Sequence, residues 1–498
     1  MAIGMTASTA LAQSHRIFST STTGPADLSL WADAGGEIGL AAADRICQAH
    51  AARASLTGAS DYVAWLSDSE DDAYCRAHGL SGKKSDNCGQ SQSPPGAGPW
   101  LRMDGLPFGG PLQDLLLPAY EVLSASEFDE TGKAVFGSHF TGTRRDGTGT
   151  ASICADWTLV DSSAFAGLGS PRAAGRFWTE LGVTSCAANR SLLCLRSGQG
   201  PSLPPVNLPG AKVFLTGKQV LGDFSLEPEA AGLFGLEAAD AICRDQAGLL
   251  DLDNASNYKA WISNGTTAAI DRIESDGPWV RLDGMPVADH KNDLIDGALR
   301  APLNLTVDGR YLDRPSAWTG TSLSGQPLDP NCDGWTSSDS ETRGRGGEAA
   351  FVNSSWTQSS FEQICAAGQH LICLEDTPPT SLCRADANTL CLGPDDRFAV
   401  RIEWETAQES GMGQAVDIGR RDSGLFTFFD PNNLEMLVKV IEGCAITDHF
   451  WVFYGATTDV GFRLTVTDTL TEVERVYTNP LGMSAESIKD LTAFPCSP

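Results

Sequence analysis

"GPWLRMDGLP" runs from Gly98 to Pro107, and "GPWVRLDGMP" runs from Gly277 to Pro286. Seven of the ten positions are identical, and the other three exchange one apolar residue for another. Self-similarity of this kind decides a fold before any local propensity does. The matches extend in both directions and keep their order. "GLAAADRIC" ending at Cys47 pairs with "GLEAADAIC" ending at Cys243, and "YVAWLSDS" at Tyr62 with "YKAWISNG" at Tyr258. "FTGT" at Phe140 pairs with "WTGT" at Trp318, and "CADWT" at Cys154 with "CDGWT" at Cys332. "CAANRSLLCL" from Cys186 pairs with "CAAGQHLICL" from Cys365. The chain therefore holds two copies of one domain, residues 14–197 and 211–376. The spacing between matches shortens by 17 residues after Tyr62, so the first copy carries an inserted loop at about 70–97.

Pro/Gly-rich sequence at 198–210 reads as a linker. A third unit, 381–498, alternates at Phe398, Val400, Ile402 and Trp404 and continues as short apolar runs between turn residues. That pattern points to a β-sandwich. Within each copy, one stretch at helical spacing (Leu236, Ala239, Ile242, Cys243) stands among short β-prone runs such as "KVFLT" and "HLICLE". The fold class is α+β, two tandem copies followed by an all-β domain.

Length fits this plan: 498 residues suggest roughly three domains of about 150 residues each. Acidic residues outnumber basic ones 63 to 35, a formal charge of −28 that opposes nucleic acids and anionic membranes. Fourteen cysteines, without close CxxC or HxxxH pairs, point to disulfides rather than zinc. Residues 1–13 end near Ala10-Leu11-Ala12, an export-signal cleavage pattern without its full apolar stretch, and read as a signal remnant. The expected location is secreted or cell surface, with no membrane-spanning segment. Cys75 and Cys88 fall in the insert and have no counterparts in the second copy, so they are expected to bond to each other. Four cysteines in the third unit allow three pairings, of which Cys383–Cys391 with Cys444–Cys496 is adopted.

The ordered set of helix cysteine, "YKAWIS", "GPWVRLDG", "AWTGTSLSG", "CDGWTSS" and "ICAAGQHLICLED" resembles the collagen endostatin domain and the bacterial lectin-like families that share its C-type-lectin-like fold. The third unit resembles, on "HFWVFYGA" and "LTVTDT", a β-rich module at the C-terminal ends of secreted bacterial proteins. The first resemblance implies that the helix cysteine joins the last cysteine and that the other two pair inside. This gives Cys47–Cys194 with Cys154–Cys186, and Cys243–Cys373 with Cys332–Cys365. It also implies that ligands sit on the long segment between the nested cysteines. There Arg343, Arg345, Asp339 and Asn353 are the candidate binding residues, with the arginines alternatively paired to Asp339, Glu341 or Glu348. The zinc and heparin binding of endostatin is not carried over, because matching histidines are not evident and the net charge is opposite.

Tryptophans that recur in both copies (Trp65/Trp261, Trp100/Trp279, Trp157/Trp335, Trp178/Trp356) read as core. Trp31 has no counterpart and stands in polar sequence, so it is the expected exposed aromatic. None of the seven histidines matches between copies: His139 falls opposite Ala317 and His370 opposite Arg190. No catalytic motif is found. No cofactor is implied, and calcium at acidic loops such as Asp251 or Asp395/Asp396 is the one ion left open. The expected function is a non-enzymatic binding protein for a carbohydrate or an extracellular protein. The alternatives are an extracellular hydrolase with a site at a domain junction, and a structural surface component without a specific ligand.

Overall fold

The computed structural model describes residues 14–496, apart from 204, 205, 207, 209, 253, 378–382, 384, 470 and 472. The proposed signal remnant, 1–13, lies outside them, as does part of the linker. The first copy begins with strand β1 (His15–Ser19), followed by helix α1 (Gly39–Arg53) and β2 (Tyr62–Ala64). It continues through β3 (Trp100–Leu101), β4 (Pro107–Gly109), β5 (His139–Phe140), β6 (Phe165–Gly169), β7 (Gly182–Ser185) and β8 (Ser191–Arg196). They form one sheet in the order β4-β3-β1-β8-β5-β6-β7, with β2 also on β8. The second copy repeats the plan with β9 (Ala211–Leu215), α2 (Gly235–Leu249), β10 (Tyr258–Ala260), β11 (Trp279–Arg281) and β12 (Pro286–Ala288). Its remaining strands are β13 (Ser316–Trp318), β14 (Arg343–Glu348), β15 (Glu362–Ile364) and β16 (Ile372–Glu375). A parallel bridge, Ala317 to His370, replaces the β5–β8 pairing of His139 with Ser191. His370 thus stands opposite Ser191 in the repeat, not opposite Arg190.

The repeated motifs each place a buried indole. Trp157 and Trp335 donate from Nε1 to the carbonyls of Ser67 and Ser263, at 2.8 and 2.7 Å. Gly142 and Gly320 lie against those rings with φ of +53° and +52°. A Cβ there would come within 2.7 and 2.6 Å of the ring, so the Thr-Gly-Thr motif needs its glycine. Trp100 and Trp279 of the decapeptide donate to Arg196 and Glu375 carbonyls at 2.8 and 3.0 Å, tying the hairpin to the last strand of each copy. The decapeptide arginine turns inward: Arg102 and Arg281 are almost wholly buried. All eight repeated tryptophans are core.

Disulfides join Cys47–Cys194, Cys154–Cys186 and Cys75–Cys88 in the first copy, and Cys243–Cys373 and Cys332–Cys365 in the second. Cys383–Cys391 and Cys444–Cys496 close the last unit. The insert begins later than residue 70. Asp44 accepts from the Ala64 amide and pairs with Arg76, just as Asp240 accepts from the Ala260 amide and pairs with Arg272. Residues up to Arg76 therefore belong to the shared frame, and the added chain follows it.

The two copies form one compact unit that ends at Thr377. Their contact has internal two-fold character. Ala174 N donates to Ala350 O (2.8 Å), and Val352 N donates to Arg172 O (3.0 Å). Residues 172, 173 and 174 occupy the places of 350, 351 and 352 in the repeat, and Ala173 bridges its own counterpart Phe351. Equivalent patches meeting each other is the geometry of an isologous dimer, here within one chain. Phe177 packs on Phe351, Arg176 and Arg145 pair with Asp313, and Arg102 Nη1 reaches Arg300 O at 3.2 Å.

The second unit is described by itself. Its strands are β17 (Thr389–Leu392), β18 (Phe398–Glu405), β19 (Ser410–Met412), β20 (Gln414–Asp417), β21 (Ser423–Thr427), β22 (Met436–Glu442), β23 (His449–Ala456), β24 (Gly461–Asp468), β25 (Val473–Asn479) and β26 (Ile488–Pro495). One antiparallel sheet runs β17-β18-β24-β25 with β19 on β18, and the other runs β20-β21-β22-β23-β26. Phe398, Val400 and Ile402 from the first share a core with Phe426, Val438, Val452 and Phe494 from the second. The alternation of β18, buried inward and exposed outward, is the sandwich pattern.

Candidate functional site

The segment between the nested cysteines divides into two parts with different uses. Its inner part, around residues 170–178 and 349–356, is taken up by the contact between copies. Its outer part is a hairpin, β6–β7 in the first copy and β14–β15 in the second. Strand register fixes equivalent positions on that hairpin. Phe165 pairs with Ser185 and Gly167 with Val183, while Arg343 pairs with Ile364 and Arg345 with Glu362. The exposed positions therefore carry Phe165 and Val183 where the second copy carries Arg343 and Glu362, while buried Gly167, whose Cβ position lies 3.0 Å from Gly142, stands where the second copy has half-buried Arg345. Phe165 and Val183 are 55% and 58% exposed.

Arg343 is exposed and makes no ion pair among the described residues. Arg345 pairs with Glu362 (2.9 Å) and donates from Nε to the Asp329 carbonyl at 3.1 Å, so its partner is not Asp339, Glu341 or Glu348. Asp339 is exposed in the preceding turn, where its carboxylate accepts from the Glu341 amide at 2.8 Å. Asn353 is not on the hairpin face. Its side chain accepts from Ser355 N at 3.0 Å and caps a short 3₁₀ turn, Ser354–Trp356. Trp31 is overturned as an exposed aromatic: it is 8% exposed, packs in the first copy's core and donates to Pro25 O at 2.9 Å. Its place in the repeat is held by Glu227, and Gly24 makes the room, since a Cβ there would sit 2.4 Å from the indole. The structure thus keeps Arg343 and Arg345 on one strand, with Asp339 in the turn before it, and leaves Asn353 and Trp31 elsewhere. Phe165, Val183 and Glu362 were not legible as site residues. A one-residue difference in hairpin length, which adds Phe361 to the second copy, hides their equivalence.

A second cluster belongs to the first copy alone. His50 is fully buried, with Nδ1 2.8 Å from Glu130 and Nε2 3.0 Å from the Thr22 hydroxyl and 3.6 Å from Asp33. Glu130 also accepts from the Ser21 amide and hydroxyl. Burial pushes the Glu130 carboxyl up, but the hydrogen bonds from His50 and Ser21 outweigh it and hold it at about 2, against an ordinary 4.5. The second copy has Lys218, Gln246 and Val307 at the places of Thr22, His50 and Glu130. Because the unfolded chain binds Glu130's proton first, stability is present above pH 4.5 and is lost as pH falls from 4.5 through about 2. Glu130→Gln is expected to flatten that part of a urea-unfolding pH series.

Fully buried His139 adds a second acid-sensitive step. Desolvation lowers it to about 4 from 6.5, against a smaller opposing effect of its contact with the Trp178 carbonyl. The folded state then binds fewer protons than the unfolded chain between pH 6.5 and 4, so stability falls as pH drops through that window. The full effect is about 3 kcal/mol, from roughly 1.36 kcal/mol per pKa unit. His139→Ala, the residue the second copy has at Ala317, is expected to reduce the slope between pH 6.5 and 4 in the same series, the remainder coming from His15, His78 and His370, which burial also lowers.

Among the described residues, no group of three or more His, Cys, Asp or Glu side chains is placed to hold a metal ion. No helix among them is long and apolar enough to cross a membrane. Comparison with family models, with curated proteins and with solved structures finds no match.

Proposed function

We propose that this is an extracellular binding protein with two lectin-like copies. Each copy presents the hairpin between its nested cysteines to a carbohydrate or protein ligand. Seven disulfides fit an extracellular protein. The observation that supports the reading is the divergence of one hairpin on a shared, stapled frame: exposed Phe165 and Val183 in one copy, and exposed Arg343 and Glu362 with half-buried Arg345 in the other. Core positions are held between the copies while these exposed ones are exchanged, as expected where recognition lives on loops. The two faces are expected to take different ligands, the first apolar and the second acidic or hydroxyl-rich. The direct test is a glycan-array screen of the oxidised protein, with calcium and again with a chelator. Chelator-resistant binding supports the reading; binding that the chelator abolishes replaces it with a metal-dependent lectin.

A hydrolase is favoured by one observation, the Thr22–His50–Glu130 relay with its exposed hydroxyl. Such a chain of nucleophile, base and carboxylate resembles a catalytic triad in its contacts. Asp33 beside Nε2, itself paired with Arg53, instead makes His50 the centre of a polar staple between α1 and two loops. Turnover of p-nitrophenyl esters that is lost in His50→Ala would reinstate the enzyme.

A further inference from the structure

A cleft of about 600 Å³ opens in the first unit where the decapeptide hairpin of the first copy, the start of the linker and the second copy's decapeptide meet. Pro99, Pro107, Leu123, Leu203, Val206 and Met285 supply its apolar lining, and glycines complete the walls. The linker wall is built in: Gly98 N donates to Gly198 O and Gly200 N to Gly98 O, at 3.0 and 2.9 Å. Asp283 is the charged lining residue, and its carboxylate is already taken up by Arg281, the Tyr311 hydroxyl and the Met285 amide. The volume lies within the range of small-molecule sites.

The repeat shows that this lining is particular to one copy. Leu123 N donates to Phe108 O at the place where Arg300 N donates to Val287 O, so Leu123 stands where the second copy has Arg300. Trp100 pairs with Gly109 as Trp279 pairs with Ala288, which sets Gly110 against Asp289 and Pro111 against His290. Arg300 and Asp289 form an ion pair in the second copy. Where one copy has that charged surface, the other has glycine, proline and leucine around a hollow. Gln113 and Gln199 bring side-chain amides without hydrogen-bond partners among the described residues.

We propose that this cleft binds one neutral, largely apolar small molecule, oriented by the two glutamine amides. No lysine or arginine lines it to draw in an anion, and the chain's net charge of −28 disfavours one.

The test is a fluorescence titration of the oxidised full chain with N-phenyl-1-naphthylamine, a neutral apolar probe. The anionic 8-anilinonaphthalene-1-sulfonate is titrated in parallel. The expected result is saturation at one neutral probe per chain, with weaker binding of the anionic one. Leu123→Arg and Gly110→Asp, which install the second copy's charges, are each expected to weaken the neutral probe at least tenfold. Leu30→Ser, at an exposed residue that does not line the cleft, is expected to leave it unchanged. Gly110→Asp keeps the test decisive if Leu123→Arg fails to fold, because a Cβ at 110 has its nearest neighbour at 3.5 Å. The absence of saturable binding would overturn the proposal. So would equal affinity in wild type and Gly110→Asp, or a preference for the anionic probe.

Discussion

Arg281→Met is expected to lower the unfolding free energy by about 3–5 kcal/mol, the cost of breaking a buried pair by removing one partner. Arg281 has no solvent exposure and engages four of its five N–H donors. It pairs with Asp283 through two nitrogens, and Nη1 donates to Pro302 O at 2.7 Å and Asn304 Oδ1 at 2.5 Å. Burial raises the Asp283 carboxyl, but Arg281 and the Tyr311 hydroxyl outweigh it and keep it below the usual range. A thioether satisfies none of these groups and strands a mostly buried carboxylate. Arg281→Lys keeps the charge but not the fork, and is expected to lose less. Arg281→Met with Asp283→Leu is expected to recover part of the loss, because the stranded charge is gone. Urea unfolding of the three variants gives the comparison, and a loss below about 1 kcal/mol for Arg281→Met would contradict it. The effect should spread beyond one copy. Asn304, held by Arg281, donates from its amide to Val122 O of the first copy at 3.0 Å.

Removing the Cys47–Cys194 bridge, by alanine at both positions, is expected to cost about 5 kcal/mol. The bridge spans 147 residues, and loop-closure entropy for that length is near this figure. Removing Cys75–Cys88, with a separation of 13, is expected to cost about 3 kcal/mol by the same argument. Both sulfurs of the long bridge are fully buried between α1 and β8, so the double alanine also leaves a small cavity that adds to its loss. Unfolding the two double variants side by side tests the ranking. Equal losses would show that the long bridge acts through native contacts rather than by constraining the unfolded chain.

The repeated core was legible because its demands are local and strict. A glycine lies against an indole at Gly142 and Gly320, and an inward arginine follows a buried tryptophan at Arg102 and Arg281. Such positions tolerate few residues, so both copies retain them and the eye can align them. The disulfides of the two copies join the cysteines that the resemblance implies, with Cys75 and Cys88 closing on each other, and the last unit takes the adopted one of its three possible pairings. Trp31 misled because its burial depends on Gly24, a residue seven positions away whose counterpart is Val220. The contact between copies was not legible either. Its centre is made by backbone groups of Arg172, Ala174, Ala350 and Val352, which leave no residue signature, and its flanking side chains, such as Phe177 on Phe351 and Arg176 on Asp313, are not shared between the copies. The insert's start was placed too early because the shared frame from Ala73 to Arg76 keeps only its first and last residues in common with Ala269–Arg272.

The most direct test of the binding account compares wild type with two hairpin variants on one glycan array, in chelator. The variants are Phe165→Ser with Val183→Ser, and Arg343→Ala with Arg345→Ala. All four residues lie on the outward hairpin faces, so folding is expected to survive. The account predicts glycans bound by wild type in chelator and lost selectively, one set with each variant. Binding that persists in both variants would contradict it, and no binding by wild type would contradict a carbohydrate as the ligand.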